Sequence, residues 1–163
     1  MPGMTDTMIT LREYQKALSK GLIRPMPCIL HPDMLVLRDD IPGNQHRFTY
    51  AKMNHNRVVS LSVFVPAEPY LGKLCYQIGY AVPETHRNRG RGYDIVSCSI
   101  EEFLHGISRN RIDDLYIEAI ISSENIASRK IASKLISKDF KETTDADSGV
   151  PAVQHIKHAV FTR

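Results

Sequence analysis

Residues 86–92 read "HRNRGRG", a histidine, three arginines and two glycines in seven positions. Ahead of them lies the apolar, β-branched run "YQIGYAV"; behind them begins "YDIVSCSIEEFL", whose apolar residues recur at helical steps. A basic, glycine-bearing turn between a strand and a helix start is suited to anions. The first N–H groups of a helix have no intrahelical partner and sit at the positive end of its dipole. Phosphates bind there when the backbone can come close, which glycine permits. The spacing Arg87-x-x-Gly90-x-Gly92 therefore reads as a possible diphosphate cradle, with Arg89 and Arg91 adding charge at its mouth. A solvated turn has the same composition, and these residues alone leave both readings open. A Walker loop is excluded because no Lys-Ser/Thr closes the motif, and a dinucleotide fingerprint because Gly-x-Gly-x-x-Gly is absent after the first strand.

Other residues that could do chemistry are sparse. Glu118 stands inside "LYIEAII", where an interior carboxylate needs a partner or a raised pKa; facing solvent or pairing with an arginine are the alternatives. Gln77 lies on the strand before the basic turn and cannot titrate. His155 and His158 share the last strand at a spacing that puts them on opposite faces, which argues against a metal pair. Cys28, Cys75 and Cys98 form no CxxC motif. Free thiols, a reducing cytoplasm and no metal are the expectation.

The elements that position these groups follow from periodicity. "TLREYQKALSKGLIRP" predicts a helix capped by Thr10 and stopping near Gly21. "MLVLRDD" reads as a short strand, "HRFTYAKM" and "RVVSLSVFV" as a hairpin joined at "NHN", and "KLCYQIGYAV" as the next strand. Val59, Leu61, Val63 and Val65 alternate onto one face. Val96, Ile100, Phe103, Leu104 and Ile107 make one helical stripe. "DLYIEAII" reads as an interior strand covered on both faces. "NIASRKIASKLISK" is a second such helix, with Asn125 as N-cap and Ala127, Ile131 and Leu135 in line. "VPAVQHIKHAVFTR" closes the chain as a strand. Gly79 marks either a bulge or relief of crowding against a helix. The pattern is α/β with a mixed sheet, and 163 residues predict one domain over 1–163.

The totals narrow the partners. A formal charge of +3 permits anionic ligands without the strongly basic face that nucleic-acid binding calls for. No apolar run reaches the length of a membrane span, and the first residues lack a signal-peptide core.

The paired stretches "YQIGYAVPETHRNRGRGYDIVSCSIEEFL" and "DLYIEAIISSENIASRKIASKL" resemble the core of the GNAT family of acyl-CoA N-acyltransferases, within it the branch of ribosomal-protein N-terminal acetyltransferases. Arg87, Gly90 and Gly92 match the family's Arg/Gln-x-x-Gly-x-Gly/Ala loop; Asn125 and Ser128 match its Asn-x-x-Ser signature, followed by Lys134 and Leu135. The resemblance covers roughly residues 73–140. It implies a mixed, mostly antiparallel sheet of about six to seven strands flanked by helices, with a V-shaped splay between the two middle strands. It also implies acetyl-CoA as acyl donor, bound by the main chain of Arg87, Asn88, Arg89, Gly90, Arg91 and Gly92, with Asn125 and Ser128 beside it. The strand at Ala81 and Val82 would pair with the pantetheine amides.

Many relatives protonate the leaving thiolate with a tyrosine four residues beyond the signature Ser; here that position is Ala132, which leaves Ser128 as donor. A base from the strand before the loop is also missing, since Gln77 occupies that stretch, and Glu118 on the neighbouring strand becomes the candidate. "ISKDF" replaces the usual Gly-Phe after the last helix, which predicts a longer final helical turn. The acceptor implied is a protein α-amine or a small-molecule amine. A non-catalytic acyl-CoA sensor, a toxin-like enzyme acting on charged tRNA, and a basic nucleic-acid module using the Arg loop are the competing readings. A shared last strand would allow a homodimer.

Overall fold

The computed structural model describes residues 6–146 and 148–162. In chain order the elements are α1 (Thr7–Ser19), β1 (Met26–Pro27), β2 (Met34–Ile41), β3 (Gln45–Asn54), β4 (Arg57–Pro66), β5 (Cys75–Ala81), α2 (Arg91–Ile107), β6 (Asp114–Ser122), α3 (Ile126–Leu135), β7 (Lys141–Thr144) and β8 (Pro151–Val160). All strands join one sheet in the order β1-β2-β3-β4-β5-β6-β8-β7. Every neighbouring pair is antiparallel except β5 and β6. The sheet has eight strands, more than the sequence predicts. The surplus comes from the two-residue β1 and from β7, whose "KETT" is exposed throughout and carries no apolar signal.

Both faces of β4 are buried. Leu61 packs with Leu11 and Tyr14 of α1, whereas the Phe64 ring stacks on Phe103 of α2 with centroids 4.3 Å apart. Tyr76 and Phe48 meet Phe103 edge-on at 4.9 and 5.7 Å. The alternation of Val59, Leu61, Val63 and Val65 thus accounts for one face only, because Val58, Ser60, Ser62 and Phe64 are buried as well. A strand sandwiched between helices loses the polar half of its pattern.

Helix ends differ in detail from the sequence reading. Asp6, not Thr10, caps α1, its carboxylate accepting from the Met8 N–H at 3.0 Å. Starting there lets Met8 join Leu11 and Tyr14 against the sheet. Asn125 caps α3 as expected, accepting from the Ser128 N–H at 3.1 Å. That helix has no extra turn; it ends at Leu135, where the Ile136 and Ser137 N–H groups both donate to the Ala132 carbonyl. Ile136 turns into the core, and Ala132 rather than the exposed Ala127 is the buried contact of α3.

The central feature is the seam between β5 and β6. These parallel strands pair only from Cys75 to Gln77 with Tyr116 to Glu118. Beyond that point β5 stays with β4 as far as Ala81, and β6 stays with β8 as far as Ser122. Each strand follows its antiparallel neighbour, and the sheet splits. Gly79 is not a bulge, since its register with Val63 is unbroken. Its missing side chain makes room for α1: a Cβ there would lie 2.5 Å from Thr7 Oγ1.

Candidate functional site

The basic loop lies at the open end of the split. After β5 the chain makes a 3-10 turn at Glu84–His86, then takes left-handed conformations at Asn88 (φ 63°) and Gly90 (φ 72°) before α2 begins. The first helical bond runs from the Asp94 N–H to the Gly90 carbonyl, and among the described residues the N–H groups of Asn88 to Tyr93 have no protein acceptor. Arg87 differs: its N–H donates to Glu84 O at 3.3 Å and its Nε to Val82 O at 2.9 Å. It ties the loop together and occupies the Val82 carbonyl. Gly90 is needed for its positive φ, with open space where a side chain would begin. Gly92 serves packing, since a Cβ there would meet Ile131 Cδ1 of α3 at 2.9 Å. The Arg89 side chain is exposed, while Arg91 folds back far enough to bury its Nε.

Between the parted strands is a cleft of about 160 Å³, lined by Gln77 to Tyr80 on one wall, Ile120 to Ser122 on the other, and Asn125 and Ser128 at the start of α3. The Ser128 hydroxyl has no protein partner among the described residues, while its carbonyl accepts from the Tyr80 hydroxyl at 2.7 Å. Burial holds the Tyr80 phenol well above its ordinary pKa, so it remains a protonated donor. Sequence reasoning missed Tyr80, which packs with the same core as Tyr76 and Ile78 and reaches α3 from there.

On the opposite face, toward α1, Gln77 and Glu118 are cross-strand partners at the last rung before the split. Both are buried, at 7% and 3% exposure. Glu118 Oε2 accepts from Gln154 Nε2 at 2.8 Å; Glu118 Oε1 and Gln77 Oε1 have no partner among the described residues. Burial raises the Glu118 pKa and the Glu68 charge adds to the rise, with the Gln154 hydrogen bond opposing them. Of the two alternatives to a buried acid, neither solvent exposure nor an arginine partner is what the fold provides. A groove of about 610 Å³ runs from this rung past Thr7 and Thr10 to Arg47 and the 66–69 turn. Groove and cleft share Thr7, Gln77 and Gly79.

Ser128 and Asn125 therefore line the cleft, the loop N–H groups stand at its end, and Glu118 lies one rung behind it on the α1 side. The two histidines of the last strand are elsewhere. His155 is buried with Nδ1 on Ser137 O at 2.7 Å, and His158 pairs with Asp114 at 2.7 Å. The three cysteines are buried and free.

No protein-family model matches the sequence, and no curated protein matches it. Solved structures do. The ribosomal-protein-S5-alanine acetyltransferase from Vibrio fischeri superposes with a TM-score of 0.50 at 12% identity, over 69% of this chain and 61% of its own. A GNAT-family acetyltransferase from Streptococcus pneumoniae gives 0.50 at 10% identity, over 69% and 67%. The yncA protein from Salmonella typhimurium, solved with its cofactor acetyl-CoA, gives 0.51 at 16% identity, over 72% and 66%. This chain spans less than two thirds of the Vibrio fischeri protein's length. Likeness at these identities is one of architecture: the chain has the fold of the GNAT acetyltransferases.

Proposed function

We propose that the protein is an N-acetyltransferase that moves an acetyl group from acetyl-CoA to a primary amine, both held at once in a ternary complex. The observation that carries this reading is the parting of β5 and β6 after Gln77 and Glu118, beside a helix start whose N–H groups lack acceptors. Bound there, acetyl-CoA would supply an activated thioester carbonyl. The main chain from Asn88 to Gly92 would hold its diphosphate, and Arg87 would act by fixing the loop. The open edge of β5 at Ala81, with the Val82 N–H, would meet the pantetheine amides in the manner of an added strand. Asn125 would shape the cleft through its cap on Ser128.

Glu118 acts as the base in this scheme. It accepts a proton from the amine as the new C–N bond forms, and its raised pKa makes it a better acceptor than an ordinary carboxylate. The Ser128 hydroxyl passes a proton to sulfur as the C–S bond breaks and is reprotonated from solvent, to which Glu118 gives up the proton it took. Holding both reactants in register supplies much of the rate.

Calorimetry with CoA, together with thiol release from acetyl-CoA against a panel of amines and peptides, tests the reading; the product should gain one acetyl group. Stoichiometric CoA binding with no turnover on any amine would identify a sensor instead. Salt-steep RNA binding without CoA binding would replace both.

A further inference from the structure

We propose that Gln77 positions the acceptor amine, and that the α1-face groove delivers it, favouring a primary amine on an uncharged, apolar flank over a polycation. This rests on the acetyltransferase reading and extends it to the acceptor. The cleft lies in the split itself and the groove opens on its α1 side, and Thr7, Gln77 and Gly79 are the residues common to both. An acyl group in the cleft and a nucleophile in the groove can meet only there.

The chemistry at that meeting point selects donors. Gln77, which lines both cavities, and its cross-strand partner Glu118, which is buried next to that lining, each carry a side-chain oxygen (Oε1) with no protein donor among the described residues. Leaving such a group unpaired is unfavourable, and an arriving N–H recovers the lost hydrogen bond. A carboxylate or phosphate offers nothing to either oxygen and is repelled by Glu118. A primary amine carries enough hydrogens to reach both while keeping its lone pair toward the cleft.

The walls select what the amine is attached to. Ile41, Val63, Val65, Pro66 and Pro69 give the groove its apolar wall. Its charged residues are Arg47, whose guanidinium is bound to Asp39 at 2.9 Å, and Glu68. A chain of several ammonium groups would exceed the negative charge available along this path, whereas an apolar flank buries against the wall.

Gln77→Leu keeps a branched side chain of comparable volume, one atom shorter, and removes the acceptor. At saturating acetyl-CoA the full chain carrying it should show an amine KM raised about tenfold or more. The acetyl-CoA KM and the CoA affinity should change far less than the amine KM. Gln77→Glu restores an acceptor oxygen and should return the amine KM toward wild type; a merely structural glutamine would move both KM values together. In the wild-type protein with CoA bound, the Gln77 side-chain amide resonance should shift on adding phenethylamine, a readout independent of turnover and of variant folding. Phenethylamine and a phenylalanine-initiated peptide, compared with spermidine, distinguish small-molecule from peptide sources and should both exceed spermidine in kcat/KM. An unchanged amine KM in Gln77→Leu, an unmoved resonance, or a preference for spermidine overturns the proposal. A wild type that acetylates no amine while its Gln77 resonance still shifts overturns the acetyltransferase reading alone.

Discussion

The start of α2 and the rung formed by Gln77 and Glu118 are opposite kinds of site. At the first, the N–H groups of Asn88 to Tyr93 are donors without acceptors, built from main chain beside exposed arginines. At the second, Gln77 Oε1 and Glu118 Oε1 are acceptors without donors, built from side chains and buried. One invites an anion and the other an ammonium or amine. They also fail differently. Main-chain donors survive most substitutions and are lost only when the backbone bends otherwise, whereas one changed atom removes a side-chain acceptor. Each prediction below attacks one side of this contrast and leaves the other standing.

Glu118→Gln should have the largest effect. It preserves shape and a hydrogen bond to Gln154 but removes the base, so kcat should fall about 100- to 10,000-fold while CoA affinity holds. Stability should move the other way. Burial, the largest cause, lifts the Glu118 pKa from 4.5, so the fold favours the protonated form. Its contribution is greatest below the unfolded value and is lost as pH rises through the raised folded value. Urea melts from about pH 4 to pH 8 should show the wild type losing stability over that rise and the variant losing less. The acidic limb of the wild-type pH–rate profile should lie above the ordinary carboxylate range. A variant that keeps wild-type kcat removes Glu118 from the chemistry.

Gly90→Glu attacks the donor-rich end. Its left-handed φ of 72° costs an L-residue about 1–2 kcal/mol, and the new carboxylate would compete for the free N–H groups. CoA affinity measured by calorimetry should weaken about 10- to 100-fold. Gly90→Ala carries the strain without the charge and should weaken binding less. Equal losses in the two variants would mean that loop shape, not competition for the donors, governs affinity.

The boundary between the regions can be tested at Gly79. Gly79→Ala sets a methyl 2.5 Å from Thr7 Oγ1 and should cost about 1–3 kcal/mol in urea melts. Most of that should vanish in a Thr7→Ala background, where the hydroxyl is gone and Thr7 Cβ is 3.7 Å from the new group. Additive losses would place the strain elsewhere.

How far the sequence speaks for each region has a physical basis. The loop was legible because its signals are local: left-handed glycine at position 90, a helix start immediately after, and Asn125 capping the next helix. The splay followed from the resemblance that those signals carried. What stayed hidden depends on pairings distant in the chain. Gln77 looks inert as an amide that cannot titrate; its importance comes from burial opposite Glu118 without a donor, which only the β5–β6 register creates. Gly92 looks like a second phosphate glycine, yet a Cβ there would also press on the Ile131 side-chain tip of α3 at 2.9 Å. Tyr80 carries no motif, and β7 has no apolar residue from which a period could be read.

Asn125→Ala should have the smallest effect and separates support from contact at the cleft. Asn125 Oδ1 holds the Ser128 N–H at 3.1 Å, so removing it frees one helix-start donor and should cost about 0.5–2 kcal/mol of stability. If the residue acts only through this cap, Asn125→Asp, which keeps the accepting oxygen and suits the positive helix end, should retain the stability. CoA affinity should then change by less than about threefold in Asn125→Ala, because the oxygen facing α3 is already engaged. A larger loss of affinity shared by both variants would show that the Asn125 side-chain nitrogen touches the donor itself. The cleft would then rely on a side chain where the loop relies on main chain, and the contrast between the two regions would have to be redrawn at α3.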